Sequence, residues 1–185
     1  MALRRIPYTG LEALIREHLS TDEDAPTASL SRDLQSARAR GYLTKAELEE
    51  VCHWKSPRAI RYIRANTPGE VRAATRAALA TRSEARRLDA LMQLKGVSVP
   101  MASALLTLLN PKRYGVIDIR VWQLLHATGT VNKNAEGVGF TFKNWHDFLV
   151  ILRHFSQKFG VGARDIERTL FDVHKAYQKK RLYRV

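Results

Sequence analysis

The chain of 185 residues is long enough for one domain, or for two small lobes that share a core. It carries 31 lysines and arginines against 18 aspartates and glutamates, and this formal net charge of +13 disfavours an acidic or calcium-buffering protein. Apolar residues make up 45% of the chain, enough for a packed core, so the composition excludes a disordered basic tail.

The composition also limits the location and the cofactors. No stretch approaches the ~18 uncharged apolar residues of a membrane helix, and the first seven residues lack the apolar segment of a secretion signal. The single cysteine, Cys52, excludes an internal disulfide, a four-cysteine zinc site and an iron–sulfur cluster held by four thiolates. We therefore expect a cytoplasmic protein, nucleoid-associated if bacterial, whose partner is nucleic acid rather than an anionic membrane.

Helix-start signals and helical spacing of apolar residues predict an all-α protein of about ten helices. Capping boxes begin at Thr9, Thr44, Thr67 and Thr81, each with a glutamate three residues later. The predicted helices lie near residues 10–19, 29–40, 45–54, 57–65, 68–80, 84–94, 101–109, 119–128, 143–158 and 163–178. Residues 20–28 and 129–141 are rich in polar residues or glycine and are predicted to be loops.

The most informative segment joins two apolar helices through a short turn. The first helix is expected to end at Gly96, and small residues at the start of the second allow the two helices to pack closely. A tight turn that opens onto a helix N-terminus presents backbone N–H groups that suit a phosphate oxygen. Gly96, Val97 and Ser98 are therefore candidates for binding a DNA backbone, although an ordinary turn between helices has the same local pattern.

Asp118 follows this segment and precedes the next predicted helix. It is one of only two acids between Gly96 and Phe140, the other being Glu136. Two interpretations are open: Asp118 is a buried N-cap that bonds the next turn, or its carboxylate lies at the mouth of a cleft beside the turn.

Turn and aspartate together resemble the helix-hairpin-helix (endonuclease III-like) superfamily of DNA glycosylases, over roughly residues 88–126. The matching positions are Leu94, Gly96, Val97 and Ala102 in the hairpin, and Val116, Ile117, Asp118 and Val121 around the aspartate. The resemblance implies a single two-lobed helical domain over 1–185, with a DNA-binding cleft between the lobes. One lobe would comprise about 29–128 with the hairpin at 88–109, and the other 1–28 and 129–185.

The resemblance implies a monomeric enzyme that acts on double-stranded DNA. It would flip out a damaged or modified base and hydrolyse its N-glycosidic bond, leaving an abasic site, in base-excision repair or in defence against phage DNA. Asp118 would be the catalytic residue, since a carboxylate stabilises an oxocarbenium-like sugar or activates water. No cofactor and no metal are implied, although a structural monovalent cation at the hairpin is allowed; no histidine forms a ligand pair with Cys52.

Two positions depart from the family pattern. Ser98 stands where the family has a second hairpin glycine, so the turn has to form without glycine there. Pro100 stands where bifunctional members carry a lysine nucleophile, and proline has no amine. The resemblance therefore implies a monofunctional glycosylase, unless another lysine such as Lys55 or Lys95 substitutes.

Further candidates come from the motif at 52–58 and from the residues around Asp118. The candidates for a base pocket are His53, Trp54, Lys55, Tyr114 and Trp122, and those for the DNA backbone also include Arg58, Lys112 and Arg113. Each has an ordinary alternative as a core aromatic or a solvated charge. Two other function classes stay open: a non-catalytic DNA-binding protein of the same fold, and a basic protein that binds RNA or an acidic partner.

Overall fold

The computed structural model describes residues 7–178, and within that range it contains helices and no strand. The prediction of an all-α protein is therefore confirmed. The α-helices are α1 (Leu11–His18), α2 (Ala25–Asp33), α3 (Gln35–Arg40), α4 (Lys45–Lys55), α5 (Ile60–Arg64), α6 (Pro68–Ala80), α7 (Glu84–Met92), α8 (Val99–Leu109), α9 (Ile119–Ala127), α10 (Phe142–Phe159) and α11 (Ala163–Tyr177). A short 3-10 helix, Pro57–Ala59, links α4 and α5. The expected lobe boundaries stay a prediction, and both ends of the second lobe include residues outside 7–178.

The prediction of a loop over 20–28 is wrong for its last four residues. The α2 helix already begins at Ala25, because an Asp24 carboxylate oxygen accepts a hydrogen bond from the backbone N–H of Thr27 at 3.0 Å. Pro26 lies in the first turn, where its missing N–H costs no helical hydrogen bond.

Two of the four expected capping boxes are confirmed, at Thr44 and Thr67, which begin α4 and α6. The other two helices begin later than their threonines, α1 after Gly10 and α7 after Ser83. At α7 the expected partner, Glu84, binds arginines instead of the backbone at Thr81.

The α8 helix is the centre of the core. Every residue of it except Pro100 is buried, and α2, α3, α4, α7 and α10 pack around it. Its Ser103 hydroxyl donates to the Pro100 carbonyl at 2.8 Å and accepts the backbone N–H of Ile117 at 3.1 Å. The extended segment before Asp118 is thereby tied to α8.

A polar network at the interface of α9 and α11 fixes the helix that Asp118 begins. The His174 imidazole is fully buried; its Nε2 donates to Gln123 Oε1 at 3.1 Å, and its Nδ1 accepts from Arg120 at 3.2 Å. Burial, and to a smaller extent the nearby Arg120 guanidinium, lower the pKa of His174 to about 4 against the opposing charge of Asp118. The neutral imidazole is therefore the form that this packing accommodates.

His174 should make the fold sensitive to mild acid. Its folded pKa of about 4 lies below the ordinary value near 6.5, so the unfolded chain binds more protons in between. The contribution is full above about pH 6.5 and is lost as the pH falls towards 4, on the order of 3 kcal/mol in all.

We expect His174→Gln to lower the free energy of unfolding at pH 7 and to flatten its fall between pH 6.5 and 4. Urea denaturation at several pH values measures both effects. His154→Gln, at an exposed ring, is the control. Equal slopes for His174→Gln and the unaltered protein would contradict the assignment.

Candidate functional site

The turn between α7 and α8 is held from outside by the connection of α5 to α6. Asn66 is buried; its side-chain oxygen accepts from the backbone N–H of Lys95 at 2.8 Å, and its amide nitrogen donates to the Lys95 carbonyl at 3.0 Å. Gly96 has φ +81°, and a Cβ there would lie 2.9 Å from the Cβ of Tyr62. Both its backbone angle and its close approach therefore require glycine.

Ser98 begins α8 without needing the conformational freedom of glycine. Its backbone angles of φ −95° and ψ 174° are extended, which any residue adopts, so serine at this position leaves the turn intact. No side chain caps the first turn of α8, and Ser98 itself is exposed. The start of α8 thus offers backbone donors and a positive dipole end to an anionic oxygen.

Asp118 begins α9 and is 8% exposed. One carboxylate oxygen, Oδ1, accepts from the backbone N–H of Val121 at 3.0 Å, as the N-cap interpretation predicts. The segment before it lies flush on α10 and α11, because a Cβ at Gly115 would come within 2.5 Å of Leu152 Cδ1 and 2.7 Å of Glu167 Cβ. The position of the carboxylate is therefore fixed by α10 and α11, and also by α8 through the hydrogen bond from the Ile117 N–H to Ser103.

The second carboxylate oxygen of Asp118 faces a lysine from a distant part of the chain. Lys55, the last residue of α4, has its Nζ 3.5 Å from Asp118 Oδ2, and the two side chains are 17% and 10% exposed. The N-cap interpretation thus accounts for only one of the two oxygens. The other forms part of a partly desolvated amine–carboxylate pair.

Asp118 also lies in the wall of a cavity of about 340 Å³ between the start of α8 and the loop before α10. The rest of the wall is mostly apolar: Met92, Ser98, Val99, Pro100, Ile119, Gly137, Val138, Gly139 and Phe140. The cavity is large enough for a nucleobase-sized group, and Asp118 is the carboxylate in its wall.

A buried charge cluster supports this site from α11. Glu167 is 2% exposed and pairs with Arg164, which also bonds Glu23 at 2.8 Å. Burial raises the pKa of Glu167; Arg164 opposes that rise, and the negative charge of Asp118 adds to it. Asp118 and Lys55 therefore lie in the electrostatic field of a second carboxyl group.

The structure brings only part of the expected base pocket to Asp118. Lys55 lies against it, and Trp122 is buried behind the cavity wall, with its ring edge-on to Phe140 at 5.6 Å and its indole N–H donating to the Lys133 carbonyl at 3.2 Å. His53 is exposed on α4 and has no recorded contact with Asp118.

Trp54 and Tyr114 are used in packing. The indole N–H of Trp54 donates to the Thr27 hydroxyl at 2.8 Å, and the Arg164 guanidinium lies 5.8 Å from its ring centroid. The Tyr114 ring stacks on Trp145, and its hydroxyl donates to Glu84 at 3.1 Å, so it points to a different part of the core from Asp118. A residue in an extended segment can face either way, which explains the difference for Tyr114.

The candidates for contacts with the DNA backbone differ in their exposure. Lys112 and Arg58 are exposed, whereas Gly96 of the turn is half-buried and Val97 is buried. Arg113 is exposed too, but its guanidinium bonds Glu84 at 2.9 Å, and Arg153 bonds the same carboxylate oxygen at 2.8 Å. Burial alone would raise the pKa of Glu84, but these two hydrogen bonds outweigh it and lower the pKa, so Arg113 already has a structural anion.

The sequence analysis did not identify the loop residues that line the cavity, nor the buried carboxyl group of Glu167. Gly137 has φ +67°, and a Cβ there would lie 3.1 Å from the Ile119 carbonyl oxygen. The glycines on either side of Val138 therefore indicated that the loop backbone comes close to another part of the chain. Glu167 gave no signal, because a charged residue in an amphipathic helix is expected to face solvent.

No family model, no curated protein and no solved structure matches this chain. Between residues 7 and 178, none of the helices has both the length and the apolar character needed to cross a membrane. The same part of the chain contains no cluster of three or more histidine, cysteine, aspartate or glutamate side chains that could hold a metal ion.

The turn at Gly96 should be intolerant of any side chain. We expect Gly96→Ala to lower the free energy of unfolding by about 2 to 4 kcal/mol, because a left-handed backbone and a contact with Tyr62 both oppose a methyl group. Gly41→Ala is the matched control, since Gly41 has the same φ of +81° with nothing within 4 Å of the added Cβ. It should lose about 1 kcal/mol. Equal losses of unfolding free energy for the two variants in urea denaturation would contradict this prediction, because the close approach of Tyr62 would then not destabilise Gly96→Ala.

Proposed function

We propose that the protein is a DNA glycosylase that hydrolyses the N-glycosidic bond of a flipped-out damaged or modified base and leaves an abasic site. The observation that carries the proposal is the carboxylate of Asp118 in the wall of a nucleobase-sized cavity, next to the start of α8, which no side chain caps. This arrangement supports the resemblance to the helix-hairpin-helix glycosylases, with α7 and α8 as the two helices of the hairpin and double-stranded DNA as the partner of a monomeric enzyme.

The chemistry requires an anionic group beside the sugar. As the bond from C1′ to the base breaks, positive charge develops on the deoxyribose, and a fixed carboxylate stabilises it without reorganising. Asp118 is fixed in this way, because its Oδ1 is bound to the Val121 N–H while its Oδ2 stays available once the Lys55 amine gives way. The same oxygen can orient a water for attack at C1′.

The phosphates on either side of the flipped nucleotide need their own contacts. The start of α8 supplies the backbone N–H of Ser98, and the exposed Lys112 supplies a positive charge. The overall charge of +13 brings the polyanion to the surface. A base excised in repair and a modified base of phage DNA would both be handled by this arrangement.

Asp118→Asn tests the catalytic role without removing the cap. An asparagine side chain still accepts the Val121 N–H, so the variant should still fold and bind DNA, with some loss of stability because Lys55 loses its ion pair. Base release should fall by at least about 100-fold. The measurement is alkali-induced strand breakage over a panel of duplexes with oxidised, alkylated and hypermodified bases.

Asp24→Asn is the control, because Asp24 caps α2 in the same way and is not in the cavity wall. If neither the unaltered protein nor Asp118→Asn releases any base while both bind duplex, the protein is the non-catalytic DNA-binding alternative, and Asp118 is a cap only.

Lys112 should contribute one phosphate contact. We expect Lys112→Gln to reduce the slope of log affinity for duplex DNA against log salt by about 0.9, since each neutralised phosphate releases condensed counterions. Titrations between 50 and 200 mM salt measure this slope. Lys143→Gln, which removes an exposed lysine paired with Asp147, should leave it unchanged. Preference for RNA over duplex DNA in the same titrations would favour an RNA-binding protein instead.

A further inference from the structure

We propose that a second cavity, at the C-terminal end of α8, binds a phosphate monoester of a small organic molecule through a group of arginines. The cavity has a volume of about 300 Å³. Its wall is formed by Arg38, Leu79, Arg87, Leu106, Leu109, Asn110, Arg113 and Tyr114. The inference goes beyond the proposed glycosylase function and does not depend on it.

This cavity is separate from the one beside Asp118. The two cavities share no lining residue, and they lie at opposite ends of α8, since Pro100 lines the first and Leu109 the second. At a helical rise of about 1.5 Å per residue, these two positions are ~14 Å apart along the helix axis. A ligand in the second cavity therefore leaves the candidate base site open.

The arginines beside the second cavity outnumber the carboxylates that they bond. Glu84 is one carboxylate, yet it forms ion pairs with Arg113 at 2.9 Å, Arg153 at 2.8 Å and Arg87 at 3.1 Å. Within residues 7–178, no other carboxylate is recorded in an ion pair with these three guanidinium groups. The cluster therefore carries a formal charge of +2, and Arg87 and Arg113 bring this excess to the cavity wall.

The charge cluster on α11 is balanced by comparison. Arg164 and Arg168 form ion pairs with two carboxylates, Glu23 and Glu167, so the groups of opposite charge are equal in number. An anion with a charge of about −2 would bring the same balance to the cluster at Glu84. A phosphate monoester carries roughly this charge at pH 7.

Arg87 is the fixed donor of the cavity wall. It is buried, its Nε donates to Glu84, and its two terminal nitrogens donate to the carbonyls of Ala78 and Thr81 where α6 ends. Because a guanidinium has five N–H groups, these three bonds leave donors for a ligand. The position of Arg87 is set before a ligand arrives, which lowers the entropic cost of binding.

Arg38 and Asn110 are the polar side chains of the wall that have no other role in the fold. Arg38 is exposed on α3, and within residues 7–178 its side chain has no recorded hydrogen bond or ion pair. Asn110 follows α8 and is half-buried, and the hydrogen bonds recorded for it involve its backbone. A guanidinium can bind two phosphate oxygens at once, and a side-chain amide can donate to a third.

The rest of the wall favours a ligand with an apolar or planar part. Leu79, Leu106 and Leu109 line the cavity together with Tyr114, whose hydroxyl is already bound to Glu84. A volume of about 300 Å³ is at the lower end of the range for small-molecule sites and exceeds what one phosphate ion needs. The cavity thus suits a phosphate monoester of about the size of a mononucleotide. A free nucleotide and the phosphorylated 5′ end of a DNA strand both carry this group.

Calorimetric titration of the full chain with matched probes tests the site. At one fixed salt concentration, we expect 2′-deoxyadenosine 5′-monophosphate to bind and deoxyadenosine to give no detectable binding, because the arginines recognise the phosphate. A short single strand with a 5′ phosphate is compared with the same strand without it. At least tenfold tighter binding of the phosphorylated strand identifies a strand end as the source of the ester, and equal binding of the two strands restricts the site to free nucleotides.

Single substitutions assign the binding to this cavity. Arg38→Gln should fold normally and weaken nucleotide binding by at least about tenfold, because it removes one guanidinium from the wall. Asn110→Asp should abolish binding, since it adds a carboxylate that repels the phosphate and pairs with the arginines. Arg86→Gln is the matched control, because Arg86 is an exposed arginine of α7 outside the wall, and its affinity should be unchanged.

Three results would overturn the inference. The first is the absence of nucleotide binding at millimolar concentration, and the second is equal affinity for the nucleotide and the nucleoside. The third is an equal effect of Arg38→Gln and Arg86→Gln, because binding would then follow the overall charge rather than the cavity. None of these results bears on base release, which tests the proposed function separately.

Discussion

One carboxylate shared between a helix start and a distant lysine is the constraint on which the site depends. Asp118 Oδ1 holds the first turn of α9, and Oδ2 faces Lys55 at the end of α4. Capping contributes about 1 kcal/mol to stability, and a partly desolvated charge that loses its partner costs more. Stability and the proposed chemistry are therefore coupled at Asp118, and asparagine at this position keeps the cap while it removes the charge.

The helices and caps could be predicted because their causes are local. Thr44 and Thr67 form hydrogen bonds with the glutamates three residues later in the chain. The sequence of α8 is apolar almost throughout, which predicts a buried helix whichever helices pack against it. The segments around Gly96 and Asp118, which carry the resemblance, also contribute Ser98 and Asp118 to the cavity wall. The ion pair of Lys55 with Asp118 could not be predicted, because it depends on how α4 packs against the start of α9.

The directions in which side chains point from an extended segment could not be predicted from the sequence either. Tyr114 precedes Asp118 closely in sequence, yet its ring stacks on Trp145 and its hydroxyl binds Glu84. Glu167 is a similar case, since helical spacing gave no reason to bury a carboxyl group beneath the site. Both residues follow the demands of tertiary packing, which short-range patterns do not contain.

The loop over 129–141 is anchored to the same helix that Asp118 begins. Trp122 and Gln123 of α9 donate to the carbonyls of Lys133 and Glu136, while Val138 lies at the cavity wall and is largely exposed. The loop and the Asp118 carboxylate are therefore both bound to α9, whereas the side chain at position 138 is largely exposed. Under the proposed function, selection could change the shape of the cavity by single substitutions in the loop without disturbing the carboxylate.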